Sequence, residues 1–188
     1  MVNALRFNGQ PGSLLVPRFS GTRVIGGAEV NLEVVPAKRE KKFFPPPCQR
    51  HLRHEFLVRE VGTDLEHGWM GLAYVKDQTG GARLYLGEID TARSGWGQLT
   101  GDQHVKKASL ALIGFAVQHY FLLGGNEQEN LALWTSPLPE PSLHDWLPRI
   151  GMRPITRCRT LWAYRGEDML RVLTAIKTQD YSLLKPEA

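Results

Sequence analysis

The spacing of apolar residues changes after residue 90, and that change organises the rest of the reading. Up to about residue 90 apolar and polar positions alternate. Thr22–Ile25 and Ala28–Val35 flank the pair Gly26-Gly27, and paired glycines supply the positive φ of a tight hairpin turn. Pro36 closes the second strand, because proline has no N–H to give a sheet. His54–Val61, Gly68–Lys76 and Arg83–Asp90 are rich in Phe, Val, Trp, Leu and Tyr, with turns at Gly62–His67 and Asp77–Ala82. They predict an antiparallel meander of at least three strands.

Beyond Asp90 the period becomes helical. Val105, Ala108, Leu112, Phe115, Ala116 and His119 form one row, and Leu110, Ile113, Val117 and Tyr120 a second. A helix over Val105–Leu123 is therefore apolar on most sides and belongs against a sheet. Thr100 with Gln103, or Asp102, marks its start, and Gly124-Gly125-Asn126 its end. Asn130–Thr135 reads as a strand lying parallel to the Leu84 strand through a right-handed crossover. Ser142 caps a short helix across Leu143, Trp146 and Leu147. Pro154–Tyr164 is a final strand, straight or bent into two, and Glu167–Thr178 a C-terminal helix. The expected class is α/β in the α+β sense: a mixed, mostly antiparallel sheet of six or seven strands with the long helix on one face.

With 188 residues and 42% hydrophobic content, the chain can bury roughly 70% of its unfolded surface in one compact body. We expect that body at residues 53–188, preceded by a hairpin and a basic, proline-rich arm at 1–52. Two cysteines are too few for a disulfide framework, and no apolar run follows the first residues, so the expected setting is a reduced, cytoplasmic one. No window approaches the roughly 18 apolar residues of a membrane span. The net charge of +4 is unevenly placed: Lys38, Arg39, Lys41, Lys42, Arg50 and Arg53 are opposed only by Glu40. The Lys38–Arg53 arm would attract the phosphates of nucleic acid or an anionic cofactor, or it is a solvated basic loop. Phe43-Phe44 alone interleaves it, which is little for base stacking.

The order of strand, glycine-rich turn, long helix, strand and short helix, ending in Ile150-Gly151-Met152-Arg153-Pro154, resembles the catalytic core of the GNAT N-acetyltransferase superfamily. Its members commonly carry Leu-Gly-Phe-x-Pro at the last of these places. The similarity spans roughly the last 130 residues and rests on element order more than on motif identity. It implies transfer of an acetyl or related acyl group from a coenzyme A thioester to an amine. In that superfamily a Gln/Arg-x-x-Gly-x-Gly/Ala loop before the long helix binds the pyrophosphate, since glycines admit backbone amides and the helix N-terminus carries partial positive charge. Here Ala92–Gly97 supplies both glycines, and the implied cofactor residues are Arg93, Ser94, Gly95, Trp96 and Gly97, with Lys106 and Lys107 on the helix's first turn. Gln98–Gln103 is the other register. An ordinary strand-to-helix connection would carry the same glycines.

Several positions depart from that pattern. The superfamily usually has two helices after its first strand, where this chain has a short proline-broken segment. Its frequent acid, a tyrosine four residues before the motif glycine, is Leu147 here. For the base, Glu88 and Asp90 stand two apart on one strand and so on one face; partial burial raises a carboxylate's proton affinity enough to deprotonate an ammonium group. They read equally as rim carboxylates of a polar face. A scaffold that has lost catalysis and binds nucleic acid or a protein through the basic arm is the second class. Cys48-x-x-His51-x-x-His54 lacks a matching second ligand pair, so no metal site is expected. His119 reads as a core histidine. No Gly-x-Ser-x-Gly, Walker or His-Glu-x-x-His motif occurs, which argues against serine hydrolases, nucleoside triphosphatases and zincins.

Overall fold

The computed structural model describes residues 18–37, 53–76, 82–91, 101–122, 128, 133–136, 141–178, 180 and 184. Among them runs one mixed sheet of nine strands with three helices. The strands are β1 Arg18–Arg23, β2 Glu29–Pro36, β3 Arg53–Glu60, β4 Glu66–Lys76, β5 Ala82–Thr91, β6 Val105–Lys106, β7 Leu133–Thr135, β8 Arg153–Pro154 and β9 Trp162–Tyr164. Their order across the sheet is β6-β1-β2-β3-β4-β5-β7-β9-β8. Every neighbouring pair is antiparallel except β5 and β7. The expected mixed, mostly antiparallel class is what is found, and the hairpin β1–β2 is continuous with the rest of the sheet through β3.

The hairpin turn sits at Gly26 and Gly27, with φ of 79° and 68°, a conformation glycine adopts at no steric cost. Its first strand lies earlier than expected: β1 is Arg18–Arg23, and Val24 and Ile25 belong to the turn with half their surface or about that in solvent. Phe19 explains the shift, because it is the side chain of β1 that reaches the core.

Helix α1 covers Ala108–Leu122 and lies on the sheet, with Ala111, Leu112, Ile113, Ala116 and Val117 almost fully buried. The expected start at Val105 is corrected. Val105 and Lys106 form β6, opposite Arg23 and Thr22 of β1, and Lys107 has a left-handed φ of 74° that breaks the path into the helix. Helical spacing includes Val105 by coincidence; a β-branched residue beside Gly21, where a Cβ would come within 2.4 Å of Val105 Cγ1, packs better as edge strand. Asp102 and Gln103 lie in the turn before β6; Thr100 and the glycines after Leu123 lie outside the described residues.

Helix α2 covers Pro141–Arg149 and α3 Gly166–Thr178. Proline at the first helical position of α2 loses no hydrogen bond, so Ser142 lies inside the helix instead of capping it. Its end is a Schellman cap: Gly151 (φ 84°) donates from its N–H to Pro148 O, and Met152 N–H donates to Leu147 O, satisfying carbonyls that the helix leaves open. The Ile-Gly-Met-Arg-Pro run is thus a helix stop followed by a strand. The final strand is divided, β8 and β9 pairing through a turn at residues 156–159. That division and β6 account for the strands beyond the six or seven expected.

Candidate functional site: the open end of β5

Strand β5 is paired unequally on its two sides. Toward β4 it is paired from Ala82 opposite Lys76 to Thr91 opposite Gly68, with one shift of register. Toward β7 it has only Leu84 opposite Leu133 and Tyr85 opposite Trp134. Just past these pairs the Thr135 hydroxyl donates to Leu86 O at 2.8 Å, and there β7 stops while β5 continues five residues further, from Gly87 to Thr91. Among the described residues, β7 pairs with no residue of β5 beyond Tyr85, and backbone N–H and C=O groups past that point require other partners.

A β-bulge falls at the parting. Gly71 is opposite Glu88 and Leu72 opposite Leu86, so Gly87 has no partner on β4. The extra residue shifts the phase of the strand: Leu86 and Ile89, three apart, both meet the core. Register puts Glu88 opposite Gly71 and Asp90 opposite Trp69. Asp90 is half-buried; the side chain of Glu88 lies outside the described set. Gly68 makes the close approach possible, since a Cβ there would come within 2.6 Å of Asp90 O. Tyr85 and Trp134 lie ring against ring, centroids 4.5 Å apart, across the last paired rung. The Trp134 Nε1–H is buried with no hydrogen-bond partner among the described residues.

Of the cofactor residues implied by the resemblance, Arg93, Ser94, Gly95, Trp96 and Gly97 lie outside the described residues. Lys106 and Lys107 are corrected: neither stands on the first turn of α1, because Lys106 is in β6 and Lys107 precedes the helix. In sheet order β6 is five strand spacings from β5, about 24 Å along the sheet, so the structure does not bring Lys106 to the carboxylates of β5. The basic arm Lys38–Arg53 and the Cys48/His51 pair also fall outside the description, apart from the backbone of Arg53. Among the described residues no group of three potential ligands could hold a metal, and no helix is long and apolar enough to cross a membrane.

Leu147, which stands where the resemblance would place a tyrosine, is packed in the core. The nearest phenol in sequence is no substitute. Tyr164 is fully buried, donates its hydroxyl to Ile150 O, and burial pushes its proton affinity well above the ordinary range; it is a structural hydrogen bond between β9 and the end of α2.

A second polar cluster escaped the sequence reading. A bulge on β4, with Arg59 opposite Glu66 and Val58 opposite Gly68, leaves His67 unpaired and turns its ring inward, where it is 2% exposed. Its Nε2 lies 3.8 Å from Glu60 Oε2. The same oxygen accepts from Arg23 Nη2 at 2.6 Å, and Arg23 Nη1 donates to Gln103 O at 2.6 Å. Desolvation lowers the imidazole's pKa, with Glu60 opposing. The charged pair is separated by 37 residues, and no sequence pattern links it.

Elsewhere, Cys158 is an exposed free thiol in the β8–β9 turn. Hydrogen bonds from Thr160 and Thr156 bring its pKa down to about 7.

Compared with protein families, with curated proteins and with solved structures, the chain has no match.

Proposed function

We propose that the chain is an N-acyltransferase that takes an acetyl or related acyl group from a coenzyme A thioester and passes it to an amine. The observation that carries this reading is the parting of β5 from β7 after Tyr85 and Trp134, with the Gly87 bulge at that point. An extended pantetheine arm carries amides of its own. Laid along β5 from Gly87 to Asp90, it would pair with backbone groups that β7 leaves open, as an added strand does. The thioester would then lie beside Glu88 and Asp90, which serve as base for the incoming ammonium. Gly95 and Gly97, with Arg93 and Ser94, would cradle the pyrophosphate, and Trp96 would flank it. The amine then attacks the thioester carbonyl, the tetrahedral intermediate gives up its extra N–H proton to water and collapses to the amide, and the coenzyme A thiolate leaves. Since Leu147 offers no proton, the thiolate departs unprotonated or takes a proton from water.

That absent acid also favours a second reading, a protein that keeps the scaffold without the reaction and binds nucleic acid or a protein through the Lys38–Arg53 arm. Calorimetry with coenzyme A and acetyl-coenzyme A separates the two. Binding that Gly97→Val abolishes, in a variant that stays folded, supports the transferase. Affinity unchanged in that variant favours the Gln98 register or the second reading, and no binding at millimolar ligand leaves the second reading. In that case nucleic-acid affinity should fall with salt at a log-log slope of roughly −0.9 per phosphate contacted.

A further inference from the structure

A cavity of about 460 Å³ opens between β1, α1 and α3, near the start of β1 and away from the β1 end that pairs with β6. Its apolar wall is Phe19, Leu173 and Ile176. Gly114 on α1 makes this junction possible: a Cβ there would come within 2.5 Å of Ile176 Cδ1 and 3.0 Å of Phe19 Cε1, so the glycine lets both side chains close against the helix backbone.

The remaining lining among the described residues is polar. Arg18 and Lys177 are exposed cations on separate elements that border the same space, with Ser20 and Gln118 beside them. Among the described residues no carboxylate pairs with either cation, and neither the Ser20 hydroxyl nor the Gln118 carboxamide has a hydrogen-bond partner. The carboxylate across the strand from Arg18 is Glu33, and it is committed to Arg59 at 2.6 Å. Both cations border one cavity, and an anion lying between them would be attracted by each. A guanidinium, an ammonium, a hydroxyl and an amide are four donors for anionic oxygens. The wall of Phe19, Leu173 and Ile176 would be left wet by an inorganic ion and is covered by an apolar group, the usual division of labour in a small-molecule site.

We propose that this cavity binds a small organic anion, a carboxylate or a phosphate monoester, whose oxygens lie between Arg18 and Lys177 and whose apolar body covers Phe19, Leu173 and Ile176. The site is separate from the β5–β7 cleft and does not depend on the acyltransfer reading.

Titration calorimetry of the full chain with octanoate and with phenyl phosphate tests it, using octanol and inorganic phosphate as the two halves of the ligand. One molar equivalent of octanoate or phenyl phosphate should bind, and each half should bind at least about tenfold more weakly, the loss expected for one charge-assisted contact or the apolar body. Preference for octanoate assigns the site to carboxylates and preference for phenyl phosphate to phosphate esters; both support it. The double substitution Arg18→Gln with Lys177→Gln changes exposed residues and should leave the melting temperature within about 2 °C while weakening binding by about tenfold or more. Leu173→Trp, which fills the cavity, should weaken it as well. Absence of binding at millimolar ligand, inorganic phosphate binding as tightly as phenyl phosphate, or unchanged affinity in the double variant would each overturn the proposal.

Discussion

The two flanks of β5 are held together by different means. On one flank, β2, β3, β4 and β5 form long ladders, such as the one from Gly68 opposite Thr91 to Lys76 opposite Ala82, and α1 covers them with a continuous apolar layer. On the other, β7, β8 and β9 are two or three residues long, and ladders that short leave few backbone bonds to share. Side chains replace them there. Thr135 donates to Leu86 O, Tyr164 to Ile150 O, the Trp162 indole to Arg159 O at 2.8 Å, and Arg153 pairs with the buried Asp168 at 2.8 Å. A flank built on individual side-chain anchors can part from its neighbour locally, as β7 does from β5 after the Thr135–Leu86 contact. A flank built on a long ladder under a helix cannot, because opening it exposes many backbone groups at once.

The largest expected effect comes from removing an anchor of the thin flank. Trp162 is 1% exposed, and Trp162→Ala should cost about 3–5 kcal/mol. Hydrogen exchange would show where that loss falls: amides of β7, β8 and β9 should exchange faster while those of β3, β4 and β5 keep their protection. Uniform loss across all nine strands would break the comparison.

The thick flank carries its own liability, in acid. His119 of α1 is buried among Phe56, Phe115 and His54, with ring centroids 5.5, 5.6 and 6.4 Å away. Desolvation and then the neighbouring His54 lower its pKa from 6.5 to about 4. The folded chain therefore resists a proton that the unfolded chain accepts. Stability should be unaffected by this group above pH 6.5 and fall by up to about 3 kcal/mol as the pH drops toward 4. Urea midpoints at pH 7.5 and 4.5 should differ clearly, and less so in His119→Phe, where His54 still contributes in the same direction. Equal pH sensitivity in both proteins would show that the acid weakness lies outside the helix-covered flank.

The smallest effect sharpens the picture of the β8–β9 turn. With a pKa of about 7, Cys158 should be about half thiolate at neutral pH and alkylate readily. Thr160→Val removes the hydroxyl that lies 3.1 Å from Cys158 Sγ and should slow iodoacetamide by several-fold at pH 7, with no change at pH 10, where any cysteine is ionised. An unchanged rate at pH 7 would mean that this turn does not hold the thiol as the geometry describes.

What the amino-acid sequence determined is everything that repeats or is punctuated within one element. Period-two runs gave β3, β4 and β5 to within a residue or two, Gly26-Gly27 placed the hairpin turn, the double apolar row placed α1, and the order of elements put Leu84 beside the later parallel strand at Leu133. What only the tertiary structure decided involves partners distant in sequence or elements too short to have a period. Val105-Lys106 is two residues long, and it becomes a strand because β1 offers it an edge. The bulges at His67 and Gly87 exist only relative to the strands opposite them. Arg23, Glu60 and His67 meet at one sheet end, and Arg18, Gln118 and Lys177 at one cavity, because three elements pack there; local sequence fixes the long periodic elements, while the neighbours of each side chain are chosen by the burial of the whole core.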